Sequence, residues 1–253
     1  MENEWRCQLT DQNNLPQLDT VEPEQALAYL HQSLYTIVRV SEWVSGSGNS
    51  EGETTLNQDS YKERFGALHE LAKEVASVIG ESVKMGELDE LDGRQFKNDS
   101  VLGWKEDMDT KMMISKRFWS KVVPEITVWD YLQRIHKYCP NSTAVYIASA
   151  AYIYRLCLIL QIIPLTTLCV HRLVLAAIRI ASKSLEDVTY LQKRFATAGG
   201  VSPGDLYRLE IAFLFLLDFD IKVDNKVMDQ CLIYIAQSSL VFQKLETPEG
   251  QVA

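Results

Sequence analysis

An all-α fold is the expectation for this 253-residue chain. Apolar residues recur at helical spacing through most of it, alternating strand patterns are absent, and helix caps sit where the periodic runs begin. An apolar fraction of 47% is ample for a core. The net charge of −9 argues against a generic nucleic-acid binder, although a local basic patch is compatible with it. Five cysteines, none in a Cys-x-x-Cys pair, read as reduced thiols of an intracellular protein. The N-terminus is too acidic and polar for a signal peptide. The longest apolar stretch, Val145 to Leu160, carries Arg155 and is shorter than a bilayer span. Cytoplasm, nucleus or both are the expected locations, with no membrane partner.

Residues 1–20 are polar and carry Pro16, as a tail would. Residues 22–44 place Ala26, Leu30, Leu34, Ile37 and Val38 on one helical face, with Pro23 suited to a first turn. The Gly- and Ser-rich stretch 45–53 reads as a flexible linker. A second amphipathic helix is expected from about Tyr61, with Phe65, Leu68, Leu71, Val75 and Ile79 on its stripe. Gly86 to Gly93 is an acidic loop, and residues 101–120 have a mixed pattern that selects no element.

From Pro124 five helical segments follow with short breaks. The first covers about 126–139. The second covers 142–160, capped by Asn141 or Ser142 and ended before Pro164. The third, 166–184, is capped by Thr166 or Thr167; it is apolar on most faces and so central. The fourth covers about 187–197 and ends at Gly199-Gly200. The fifth, 203–218, has Ser202 as N-cap and Pro203 at the first helical position. A last helix, about 224–243, is capped by Asp224.

Lys183 and Glu210 are placed against two of the most apolar of these helices. Such charges must be solvated, paired internally or offered to a partner. Arg172, Arg179 and Lys183 share a helix face, and their apolar neighbours favour a partner with an acidic group over plain solvent. Phe213, Leu214, Phe215, Leu216 and Leu217 wrap most of the fifth helix. Those the core does not consume would leave an apolar patch beside Glu210, as in a helix-binding groove.

Enzyme signatures are missing: no phosphate-cradling glycine loop, no His-Glu-x-x-His and no serine elbow. His136 and Cys139 lie three apart on one helical face and form a candidate nucleophile pair, but no third group to orient the histidine is evident. A surface histidine beside a half-buried thiol is the simpler reading. No catalytic, cofactor or metal site is expected.

These residues resemble a cyclin box. The likeness is carried by Ile126 to Tyr138, by Val170-His171-Arg172-Leu173, by Ala181-Ser182-Lys183, by Gly199-Gly200-Val201-Ser202, by Leu206 to Glu210, and by Leu217-Asp218-Phe219-Asp220-Ile221. Within that family the chain is most similar to PHO-type cyclins, called P-type or U-type in plants. The resemblance covers about 120–223 and implies a single five-helix box there; periodicity leaves an extension with amphipathic helices and flexible linkers over 1–119 and a C-terminal helix and tail over 224–253. The resemblance implies no activity of the chain's own. The function it implies is that of a regulatory subunit that binds and activates a cyclin-dependent protein kinase as a heterodimer. The contact residues implied are Lys183 and Glu210, an apolar floor of Leu214, Phe219 and Ile221, and Arg179 and Glu186 beside them. A cyclin-fold scaffold that acts on no kinase is the alternative.

The sequence departs from the family pattern at three places. Tyr154 stands where many cyclins carry an aspartate in a buried ion pair, so Arg155 needs another partner. Glu125 and Tyr131 occupy the arginine and tryptophan positions of the substrate-docking patch of cell-cycle members, so such docking is not expected. Ser184 follows the groove lysine where a bulky residue is common. In the tail, Arg6, Leu9 and Asn14 fit the spacing of a destruction box.

Overall fold

The computed structural model describes residues 18–44, 110–160, 162–229, 231, 232 and 235. The stretch 45–53, the helix expected from Tyr61, the acidic loop and the destruction-box spacing lie outside the described residues. Among those described, every regular element is helical, as expected: α1 (Pro23–Val44), α2 (Val128–Tyr138), α3 (Thr143–Tyr154), α4 (Val170–Leu185), α5 (Gln192–Ala198) and α6 (Pro203–Leu216). Residues 110–115, which the sequence pattern left unassigned, are helical and run into a 3₁₀ turn at Lys116–Phe118.

The caps explain several boundaries. Thr127 Oγ1 accepts the Asp130 amide at the start of α2, and Ser202 Oγ accepts the Asp205 amide at the start of α6. Ser142 is the N-cap of α3, but its hydroxyl makes no cap bond; its own amide donates to Glu186 Oε1 (3.0 Å). Asp224 Oδ1 accepts the Val227 amide, and residues 225–229 are helical as expected. Three boundaries differ by more than two residues. The second box segment is α-helical only to Tyr154 and widens into a π turn over Arg155–Ile159. The third begins at Val170, because the Thr166 carbonyl first closes a turn by accepting the Cys169 and Val170 amides. The fourth begins at Gln192, because the chain before it runs as a loop that delivers the Tyr190 carbonyl to Arg179.

α3 and α4 form the centre. α4 is buried from Val170 to Ser182 at every position but Arg172, so it is central as its sequence indicates. α3 packs against α4 on one side and α1 on another, and α6 packs against α4. α2 and α5 close a flank, joined where Tyr131 Oη donates to the Gly199 carbonyl (2.9 Å) and Arg194 donates twice to the Tyr138 carbonyl. Tyr131 is thereby spent inside the fold. α1 buries Ala26, Leu27, Leu30, Leu34 and Ile37, and Thr143 Oγ1 donates to the Val21 carbonyl (2.7 Å). α1 is therefore part of the core.

Candidate functional site

The C-terminal turn of α4 brings Lys183 to Glu210 of α6, and Lys183 Nζ donates directly to Glu210 Oε2. The two differ in exposure. The Lys183 side chain is 42% exposed, whereas that of Glu210 is 4% exposed. The buried carboxylate is satisfied on both oxygens, since Gln192 Nε2 donates to Oε1 (2.5 Å). Arg179, one turn before Lys183, is equally buried; its Nε lies 3.9 Å from Glu210 Oε1. Its two terminal nitrogens donate to the Tyr190 carbonyl (2.9 Å) and Gln192 Oε1 (3.0 Å), and its guanidinium lies 5.0 Å from the Phe195 ring centroid.

The acidic group that the basic stripe faces is thus the chain's own Glu210. Arg179 is a buried strut of that cluster, and Lys183 is its solvent-facing member. Glu186 has an internal use as well, in the bond that ties the end of α4 to the start of α3. Arg172 is only partly buried.

The apolar run of α6 divides as helical geometry requires. Phe213, Leu216 and Leu217 are buried, Leu214 is partly buried, and Phe215 is 49% exposed. After the helix the chain turns sharply. Asp218 and Phe219 both have left-handed backbones, with φ of 53° and 59°. Phe219 is 55% exposed and meets Phe215 edge-to-face, ring centroids 5.1 Å apart. Ile221 is partly buried, and its carbonyl accepts from Tyr152 Oη (2.7 Å).

Arg155 finds its substitute partner here. It donates to the Asp220 carbonyl (2.9 Å) and to Asp220 Oδ2 (3.0 Å). Gln192 and Lys111 carry no signal in the sequence, and Asp218 and Asp220, although part of the family likeness, give no hint there of their partners; Lys111 Nζ meets Asp218 Oδ2 at 2.8 Å. Phe215 was legible in principle, since it stands four residues before Phe219 on a helix already saturated with apolar side chains.

His136 and Cys139 take other roles. His136 Nδ1 is 2.7 Å from Tyr146 Oη, and its Nε2 lies 3.6 Å from Glu24 Oε1 of α1. Cys139 is fully buried, not half-buried, and burial raises its thiol pKa, the opposite of what a thiolate nucleophile needs. Among the described residues, no three His, Cys, Asp or Glu side chains are grouped to hold a metal ion, and no helix is long and apolar enough to cross a membrane.

The cyclin family model matches residues 67–221. The chain is 38% identical to Cyclin-U2-1 of Arabidopsis thaliana over 107 residues, covering 42% of this chain and 48% of the relative. It is 33% identical to PHO85 cyclin-7 of Saccharomyces cerevisiae over 124 residues, covering 45% and 44% respectively. It is 36% identical over 112 residues to the Nuc-1 negative regulatory protein preg of Neurospora crassa, covering 44% of this chain and 23% of that one. The chain spans less than half the length of each of these curated relatives. The family match covers more than half of the chain and contains every residue of the Lys183–Glu210 cluster and the turn after α6, so the chain belongs to the cyclin family.

Proposed function

We propose that this chain is the regulatory subunit of a cyclin-dependent protein kinase and that it holds the kinase on the surface between the end of α4 and the end of α6. Residues 120–223 would be the cyclin box, in a heterodimer of the PHO type. One combination carries the reading: a half-exposed cation, Lys183, paired with a buried carboxylate of α6, and two exposed phenylalanines, Phe215 and Phe219, paired with each other where the same helix ends. That combination offers both polar and apolar contacts to a partner helix. The names of the relatives, which include U-type cyclins and a PHO85 cyclin, support the PHO-type assignment. Leu214 and Ile221 would line the floor. Arg179 and Glu186, both bonded within the chain, would act by holding Lys183, Glu210 and α3 in place. The chemistry would belong to the kinase. Docking would bias the kinase's αC helix inward, so that its glutamate pairs with the ATP-positioning lysine.

Lys183 is the residue to test, because Glu210 also has structural duties. Lys183→Met keeps the aliphatic stem and leaves Glu210 with Gln192 and Arg179. Loss of an interfacial charge partner typically costs ~2–5 kcal/mol. Capture of recombinant cyclin-dependent kinases, assayed one by one, should fall accordingly while the melting temperature changes little. Full capture by a Lys183→Met, Phe219→Ala double variant would refute the assignment.

A further inference from the structure

The turn after α6 is held in an unfavourable backbone at a place where the core gains little from it. The Phe219 amide donates to the Leu214 carbonyl (2.8 Å) and the Asp218 amide to the Phe215 carbonyl (3.2 Å). These are the paired bonds of a Schellman ending, in which the left-handed position is usually glycine. Here it is Asp218, and the bulky residue after it, Phe219, is left-handed as well. For an aromatic side chain such a backbone is an outlier that persists only where its surroundings impose it. Packing does not explain it, since Phe219 is more than half exposed.

Two cations flank it, one on each neighbour of Phe219. Arg155, at the start of the π turn, grips Asp220 through its carbonyl and carboxylate. Lys111 grips Asp218 at 2.8 Å, with its own side chain only 10% exposed. Lys111 comes from the helical segment 110–115, ahead of the point where the sequence places the box. That segment is anchored in turn: Phe118 is fully buried and meets the Phe213 ring of α6 edge-to-face, and the Ser120 amide donates to the Leu168 carbonyl (2.9 Å).

We infer that Lys111 is a positioning residue for the kinase-binding surface: with Arg155 it clamps the left-handed turn and so fixes where Phe219 projects. The inference rests on the kinase reading given above for what Phe219 meets, but the clamp itself is measurable on the free protein. A residue ahead of the first box helix, α2, would then set the geometry of the binding edge.

The test applies two measurements to the full chain and its variants. One is hydrogen exchange of the 218–220 amides. The other is capture by recombinant cyclin-dependent kinases, each assayed singly. Lys111→Met retains the buried stem and removes the charge, and Asp218→Asn keeps a residue tolerant of the left-handed region while removing the pair. Both variants should speed exchange at 218–220 by about tenfold or more and weaken capture by a similar factor, with the melting temperature nearly unchanged. Lys111→Arg should preserve both. Unchanged exchange in both variants would overturn the clamp. Faster exchange with undiminished capture would overturn the positioning role. Faster exchange in a chain whose wild type captures no cyclin-dependent kinase would leave the clamp standing and refute the kinase reading instead.

Discussion

Glu210 has a place in the fold as well as in the proposed binding surface. It is buried, yet Lys183, Gln192 and Arg179 surround it. Glu210→Ala would leave the Arg179 charge buried without its counter-charge, an error that typically costs ~3–5 kcal/mol. A urea titration should therefore show a large loss for Glu210→Ala and a small one for Lys183→Met. Sequence singled out both charges because each interrupts an otherwise apolar helix. It could not show that they meet, since 27 residues separate them and their pairing depends on how α4 packs on α6. Two histidines make a separate prediction. Burial lowers the pKa of His31 to about 4 and also lowers that of His171, whose Nε2 donates to the Ile126 carbonyl. Both are depressed below the unfolded value of about 6.5, so the unfolded chain binds more protons as pH falls. Their stabilisation is complete above about pH 6.5 and is lost as pH falls below it, for His31 on down toward about 4, at up to about 1.4 kcal/mol per unit for each group. The urea midpoint should fall between pH 7.5 and pH 5, and a flat profile would contradict the burial of these rings.

At the scale of elements, the helices were legible and some of their edges were not. Periodicity and capping are local, so Ser202-Pro203 marked the start of α6 and Asp224 the start of the last helix. Ser202→Ala should cost about 1 kcal/mol, read as a few degrees of melting temperature. The start of α5 was misplaced because the preceding loop is held by a distant guanidinium, Arg179, which no local rule contains. The same limit hid the turn after α6. Asp218 meets Lys111 and Asp220 meets Arg155, partners that are distant in sequence and that no local pattern announces.

For the whole molecule, the unit that folds extends beyond the family's shared segment. α1 lies before residue 67, where the family match begins, yet it covers α3. Burying Leu27, Leu30, Leu34 and Ile37 at ~1.5–3 kcal/mol each contributes ~6–12 kcal/mol, about the size of a domain's whole stability. Deletion of residues 1–44 should therefore abolish cooperative melting, and a truncated chain that melts cooperatively would show that α1 is dispensable. With that core in place, Lys183 at the end of α4 and Phe215 and Phe219 around the end of α6 are left exposed, as the proposed binding surface requires. The most direct test is a hydrogen-exchange footprint of the full chain with and without a captured cyclin-dependent kinase. Protection is predicted at 183–186 and 214–221. Protection confined to α2 and α5, with those two segments unchanged, would contradict the account.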